Sequence, residues 1–343
     1  MNVSRPLIIT DPGLLATPAF QGLQKALVEK SDIFSGVHPN PLEEDVEEAA
    51  RAYRELQCDA VIAFGGGSAL DVGKAVRLRV RRPERTLRDF DSNLEWNDLP
   101  PLFAIPTTAG TGSEVGRSAV IIVDGRKKVF FHPSLLANRV ILDPEATRDL
   151  PAKLTAATGA DALTHCIESF TSPTCQPFCD GIALEGIRLI NHALRRAVQD
   201  GGDLEARGQM QIAAAMGGVA FQKDLGAAHS LAHPLSSVCG LHHGLANALC
   251  LPHVMAWNAA RKNGLYERVG IALGLKEPDD ATVIAAVRRL FNDIGLSGGL
   301  SGHGVERGQF DALVAQAIED RCHLTNPVPV MESDLRELYA CAL

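Results

Sequence analysis

No apolar run in the 343-residue chain reaches the roughly 18 residues needed to span a bilayer, which excludes an ordinary transmembrane helix. A charged leader followed by a long apolar segment and a small-residue cleavage site is also missing, so the expectation is a cytoplasmic protein with no membrane partner. There is no long basic tract either: the densest stretch, Arg79 to Arg85, is interrupted by Val80, Pro83 and Glu84. With 33 Lys and Arg against 41 Asp and Glu the net charge is −8, and a nucleic-acid partner has no electrostatic footprint. The eight cysteines, at 58, 166, 175, 179, 239, 250, 322 and 341, include no Cys-x-x-Cys pair. They are expected to be reduced core thiols rather than a disulfide framework.

What remains is a globular balance, 46% hydrophobic and 22% charged, too apolar for a disordered chain. At about 150 residues per domain the length implies two domains. Up to residue 150, the short apolar runs Leu7 to Thr10, Ala60 to Phe64, Leu102 to Ile105 and Val120 to Val123 read as buried strands. The stretches Ala19 to Glu29 and Leu42 to Gln57 between them have helical periodicity. Such alternation predicts an α/β domain, 1–150, built on a mostly parallel, doubly wound sheet. Beyond Pro151, helix-like segments follow one another near 152–170, 180–199, 203–221, 225–235, 243–262, 280–293 and 307–319, so 151–343 is expected to be all-α.

Two glycine loops leave the ends of predicted strands. The first is Gly65-Gly66-Gly67-Ser68, and the second runs Pro106-Thr107-Thr108-Ala109-Gly110-Thr111-Gly112-Ser113. Glycines there let backbone N–H groups approach a phosphate at a helix N-terminus. Two such loops at the carboxyl ends of parallel strands would line one nucleotide crevice.

From Leu225 to Ala260 there is no Asp, Glu, Lys or Arg, yet five of the eleven histidines, His229, His233, His242, His243 and His253, lie within it. Buried imidazoles need partners, and a metal is the commonest when so many cluster. His229 and His233 share one helical face, with His243 entering from the start of the next helix; upstream, Asp161 and His165 repeat the spacing of four. One carboxylate with three imidazoles suits Fe²⁺ or Zn²⁺.

These residues resemble the iron-containing (group III) alcohol dehydrogenase family. The matching stretches are Gly65-Gly-Gly-Ser-Ala-Leu-Asp71-Val-Gly-Lys74, Pro106-Thr-Thr-Ala-Gly-Thr-Gly-Ser-Glu-Val115, Leu154-Thr-Ala-Ala-Thr-Gly-Ala-Asp161-Ala-Leu-Thr-His165, and His229-Ser-Leu-Ala-His233 with His243-Gly-Leu-Ala-Asn247. The resemblance implies a dehydroquinate synthase-like two-domain plan and an NAD(P)-linked, metal-dependent interconversion of a small alcohol and aldehyde. It implies Asp161, His165, His229 and His243 as metal ligands, with Fe²⁺ favoured over Zn²⁺, and His233 as a non-ligand active-site histidine, here a candidate proton relay. It implies cofactor contacts at Asp11, Gly66, Gly67, Ser68, Thr107, Thr108, Ser113 and Lys127, and Asp11 favours NAD over NADP because a carboxylate repels a 2′-phosphate.

Within the family, Gly116-Arg117-Ser118, Phe221-Gln-Lys223-Asp-Leu-Gly226 and Cys322-His323-Leu-Thr-Asn-Pro327 look most like the 4-hydroxybutyrate dehydrogenase branch. Arg117, Ser118 and Lys223 are therefore expected near the substrate, with an ω-hydroxy acid or its semialdehyde as the acidic candidate. A homodimer is the assembly implied, although relatives dimerise through an edge strand lying before the first strand, where this chain has only Met1 to Pro6. The alternatives are a maleylacetate reductase and an NAD-using lyase resembling 3-dehydroquinate synthase.

Overall fold

The computed structural model describes residues 3–27 and 31–343, and the chain divides into two units. One comprises Met1–Thr108 and Gly112–Asp149; the other comprises Ala109–Thr111 and Leu150–Leu343.

The first unit runs β1 (Pro6–Ile9), α1 (Pro18–Ala26), β2 (Asp32–Phe34), α2 (Glu43–Glu55), β3 (Ala60–Gly65), α3 (Gly67–Arg81), β4 (Leu102–Pro106), β5 (Ser118–Val123), β6 (Arg126–Phe131) and β7 (Arg139–Val140). Five of these strands form a parallel sheet in the order β2-β1-β3-β4-β7, with Ile8 opposite Ile33 and Ile62, and Ala63 opposite Ala104. Because side chains alternate across a pleated sheet, Leu7, Ile9, Val61, Ala63, Leu102 and Ala104 supply one apolar layer. Ile8, Ile62, Phe64 and Ile105 supply the other, against Phe20 of α1. Burial on both faces is why these strands read as continuous apolar runs. Thr17 starts α1 by accepting from Phe20 N at 3.3 Å, with Pro18 in the first turn. The helix is described over Pro18–Ala26, and the expected continuation to Glu29 falls on residues 28–30, which lie outside the described residues.

Val120 to Val123 does not join this sheet. It belongs to β5, which pairs antiparallel with β6 through Asp124-Gly125, whose φ values of 51° and 72° suit a two-residue hairpin turn.

The second unit has no strand among the described residues. It comprises α4 (Ala152–Thr171), α5 (Pro177–Gln199), α6 (Leu204–Ala220), α7 (Ala227–Cys239), α8 (His243–Ala259), α9 (Glu267–Ala272), α10 (Asp280–Asp293), α11 (Phe310–Glu319) and α12 (Glu332–Ala342). The sequence reading did not anticipate α9 and α12. Every residue of α4 from Thr155 to Ser169 is buried, as expected of a helix covered on all sides by its neighbours, here α5, α6 and α8. Gly244, at the start of α8, permits the closest of these approaches: a Cβ there would lie 2.1 Å from the Ala157 carbonyl oxygen. That contact sets His243 beside the middle of α4.

All eight cysteines are free; Cys58, Cys166 and Cys250 are buried, whereas Cys175 and Cys341 are exposed, so the expectation of core thiols fails for these two. No described helix is long and apolar enough to cross a membrane.

Candidate functional site

In the first unit the strand order reverses between β1 and β3, where open α/β sheets leave a crevice at the strands' carboxyl ends. Asp11 follows β1 and accepts from Gly13 N at 3.0 Å through Oδ1. Gly65 closes β3, and a Cβ there would meet the Ala69 methyl at 2.6 Å and stand 3.8 Å from Asp11 Oδ2. Only glycine keeps this corner clear. Gly66 caps α3 without any side-chain hydrogen bond, so no cap side chain covers the first N–H groups of the helix, which begins at Gly67 and Ser68. The Ser68 hydroxyl anchors the loop by donating to Pro39 O at 2.6 Å.

The second loop meets the first directly: Thr107 N donates to Gly65 O at 3.0 Å, and Thr108 Oγ1 lies 3.5 Å from where a Gly66 Cβ would stand. Ser113 is tied into the fold. Its hydroxyl donates to Asp71 Oδ1 at 2.6 Å and accepts from Lys74 Nζ at 2.7 Å, while Lys74 also donates to Ser113 O and Ser118 O. Burial lowers the Lys74 pKa and raises that of Asp71, and each charge opposes the shift of the other. Ser113 thus braces the loop. Lys127 is exposed on β6, opposite Ile122.

In the second unit Asp161, His229 and His243 come together so that one ligand atom from each lies within 4.8 Å of the others. Asn247 marks the point on which they converge: its Nδ2 donates to Asp161 Oδ1 at 2.7 Å and lies 3.2 Å from both His229 Nε2 and His243 Nε2. Lone pairs aimed at one small region are what a cation selects. His165 stacks on His229 with ring centres 4.7 Å apart, and its Nδ1 is buried without a hydrogen-bond partner among the described residues. Burial raises the Asp161 carboxyl, but the three imidazoles and Asn247 outweigh it and bring the pKa down to about 2. Burial also takes His165 down to about 4 and His243 well below its ordinary value, so both rings are neutral donors. Burial lowers the His229 pKa too, but Glu168 and Asp161 outweigh it and raise it. An anionic oxygen with imidazole nitrogens, one of them orphaned, fits a borderline divalent ion. His165 is not among the three donors that cluster, and His242 and His253 also stand outside them among the described residues.

Three residues of this region were missed. Glu168 lies on the Asp161 face of α4 and accepts from His229 Nδ1 at 2.6 Å. Asn247 follows His243 by one helical turn. Asp320, after α11, holds His233 Nδ1 at 2.6 Å, and the His233 ring stacks on His243 with centres 5.1 Å apart. Spacings of seven and four could have found Glu168 and Asn247; nothing local marks Asp320.

Of the two expected substrate cations, Lys223 has a carboxylate partner in the structure. Lys223 is buried, with Nζ donating to Asp180 Oδ1 at 2.6 Å and to Phe170 O at 3.2 Å. A buried ammonium found a carboxylate within its own unit, which corrects the reading of Lys223 as a charge awaiting a substrate. Arg117 lays its guanidinium over the Phe131 ring at 4.8 Å, and Ser118 begins β5.

Comparison with known proteins matches the iron-containing alcohol dehydrogenase family over residues 1–144 and the C-terminal region of the Fe-containing alcohol dehydrogenase family over residues 155–343. A 4-hydroxybutyrate dehydrogenase from Cupriavidus necator is 40% identical over 360 residues, covering 98% of this chain and 92% of its own. The crystal structure of a 1,3-propanediol oxidoreductase superposes with a TM-score of 0.95 at 33% identity, covering 99% of this chain and 92% of its own. That of a sulfoacetaldehyde reductase from Bifidobacterium kashiwanohense in complex with NAD⁺ gives 0.91 at 29%, covering 99% and 91%. These similarities favour neither the lyase nor the maleylacetate reductase alternative. The chain belongs to the iron-containing alcohol dehydrogenase family and is an oxidoreductase acting on alcohols.

Proposed function

We propose that the chain interconverts a short primary alcohol and its aldehyde with NAD, the first unit receiving the dinucleotide and the second holding a divalent ion on Asp161, His165, His229 and His243. The observation that carries this reading is the convergence of Asp161 Oδ1, His229 Nε2 and His243 Nε2 around Asn247 Nδ2. Fe²⁺ suits the oxygen and nitrogen donors, as does Zn²⁺. Bound there, the ion supplies Lewis acidity at the substrate oxygen, and the nicotinamide supplies the hydride exchange.

The protein's own part is to position charge and protons. Asp161 contributes the compensating anion, and the neutral rings of His165 and His243 present lone pairs without competing protons. His233 keeps its Nδ1 proton on Asp320, which leaves Nε2 to take the alcohol's proton and pass it outward from a side chain 36% exposed. The N-terminus of α3 receives the pyrophosphate, with Thr107 and Thr108 at the adjoining loop and Lys127 toward a ribose. Asp11 contacts the adenine ribose and disfavours a 2′-phosphate. Eight unpaired thiols support a reducing, cytoplasmic setting.

For the substrate we infer an ω-hydroxy acid of about four carbons, supported by the 40% identity to a 4-hydroxybutyrate dehydrogenase and not by Lys223. The test is a panel of short aldehydes, with and without a distal carboxylate, assayed with NADH and NADPH. We expect the carboxylated four-carbon aldehyde to have the highest kcat/KM, NADH to exceed NADPH, and Asp11→Gly to narrow that gap. A wild-type kcat/KM higher with NADPH would remove the role given to Asp11. Equal rates for charged and neutral aldehydes would remove the acidic substrate.

A further inference from the structure

We propose that Glu168 is a positioning residue that fixes His229 for metal binding by joining its ring to the N-terminus of α7. This rests on the ligand set proposed above. Asp161, His165 and Glu168 occupy positions i, i+4 and i+7 of α4 and so project from one face. The Glu168 carboxylate is buried, 4% exposed, with a partner on each oxygen: Oε2 meets His229 Nδ1 at 2.6 Å and Oε1 accepts from Ala228 N at 2.6 Å.

The second bond answers a need of the helix. Gly226 caps α7 without a side-chain hydrogen bond, so its first N–H groups need acceptors from elsewhere in the fold. Glu168 takes Ala228 N, and Asn326 Oδ1 takes Ala227 N at 3.3 Å. An anion at this end is favoured by the helix dipole. Gly226 is itself required for the arrangement, because a Cβ there would stand 2.8 Å from Glu168 Oε1.

The tautomer of His229 follows from donor and acceptor rules. A carboxylate only accepts, so Nδ1 carries a proton. Asn247 assigns the other nitrogen. Its NH₂ must face Asp161 Oδ1, and the same group lies 3.2 Å from His229 Nε2, which can then only accept. Ring rotation and tautomer are therefore set by the protein before any ion arrives.

Glutamine cannot reproduce this. If its amide oxygen takes Ala228 N–H, its NH₂ confronts Nδ1 and drives the ring proton to Nε2, occupying the lone pair needed for the ion. If the amide turns over, the NH₂ confronts a backbone N–H instead.

The experiment titrates chelator-treated protein with Zn²⁺ against a chromophoric chelator and records the metal-free Tm, for wild type, Glu168→Gln, Asn326→Ala and His243→Ala. We expect Glu168→Gln to weaken Zn²⁺ binding about 10–100-fold. Asn326→Ala removes the other α7 contact, together with bonds to Asn258 and Val328, and leaves Glu168 in place, so it should lower the metal-free Tm without weakening Zn²⁺. Wild-type affinity in Glu168→Gln, with binding lost in His243→Ala, would overturn the positioning role alone. So would equal weakening in Asn326→Ala and Glu168→Gln, since it would trace the effect to loosening of α7. Unchanged binding in His243→Ala would instead overturn the ligand set. Should Glu168→Gln fail to fold, Glu168→Asp keeps a carboxylate too short to reach both partners; weakened Zn²⁺ binding there supports the proposal and wild-type affinity contradicts it.

Discussion

Lys223 carries the sharpest change in expectation at the residue scale. Read along the chain it is a lone cation six positions before a candidate ligand; in the fold its ammonium sits 2.6 Å from Asp180, forty-three residues away. Lys223→Met should therefore act on stability and not on substrate choice. Its partner Asp180 keeps 25% of its side chain exposed, so the expected loss is on the order of 2 kcal/mol, below that of a fully buried pair. The kcat/KM ratio of carboxylated to neutral aldehyde should stay as in wild type. A selective loss with the carboxylated substrate would restore Lys223 to the site. The same distance effect explains what spacing disclosed and what it hid. Asp161 with His165 and His229 with His233 were legible as helical pairs, because four residues bring side chains onto one face. The carboxylates that complete the picture lie far off in sequence, Glu168 sixty-one residues from His229 and Asp320 eighty-seven from His233. Glu168 shows only as the third position of the Asp161 face of α4, and no local pattern distinguishes Asp320 from a solvated acid.

Among the elements, strands declared themselves where burial made the apolar run long enough to notice, as in Ala60–Gly65 and Leu102–Pro106. The edge strands β2 and β7, of three and two residues, are too short to establish a period. The hairpin of β5 and β6 was legible in principle from Asp124-Gly125, a turn pair that forces the chain to reverse. The segment between β4 and β5 carries a testable charge. Glu114 is buried near Lys74, and burial pushes its carboxyl up to about 7, with Lys74 opposing. An acid whose folded pKa exceeds its unfolded value of 4.5 stabilises the fold less as pH rises: between 4.5 and about 7 the unfolded chain ionises while the folded chain holds its proton. Glu114→Gln removes this cost. Its Tm relative to wild type should increase from pH 5 to pH 8 and level off above that window, a change worth up to about 3 kcal/mol. A difference independent of pH, measured by calorimetry, would mean that Glu114 is ionised in the fold throughout.

Across the whole molecule, two signals of different kinds made the plan readable. Alternating strands and helices gave way to uninterrupted helices near Pro151, and the charge-free stretch from Leu225 to Ala260 forms two helices, although of its five histidines only His229 is buried and His242 is exposed. The small exchange at residues 109–111, which group with the helical unit, escaped the reading because a glycine loop looks continuous along the chain. Gly110 explains it: a Cβ there would lie 2.8 Å from Thr158 Cβ and 2.9 Å from the Thr158 carbonyl oxygen, so the loop's backbone rests directly on α4. The central claim, that the second unit is a metal centre on which turnover depends, is tested most directly by anaerobic titration of chelator-treated protein with Fe²⁺ while aldehyde-dependent NADH oxidation is followed. The account predicts an inactive starting protein, recovery complete at one ion per chain, and no recovery in His243→Ala. Full turnover by protein shown to be metal-free by elemental analysis would contradict it.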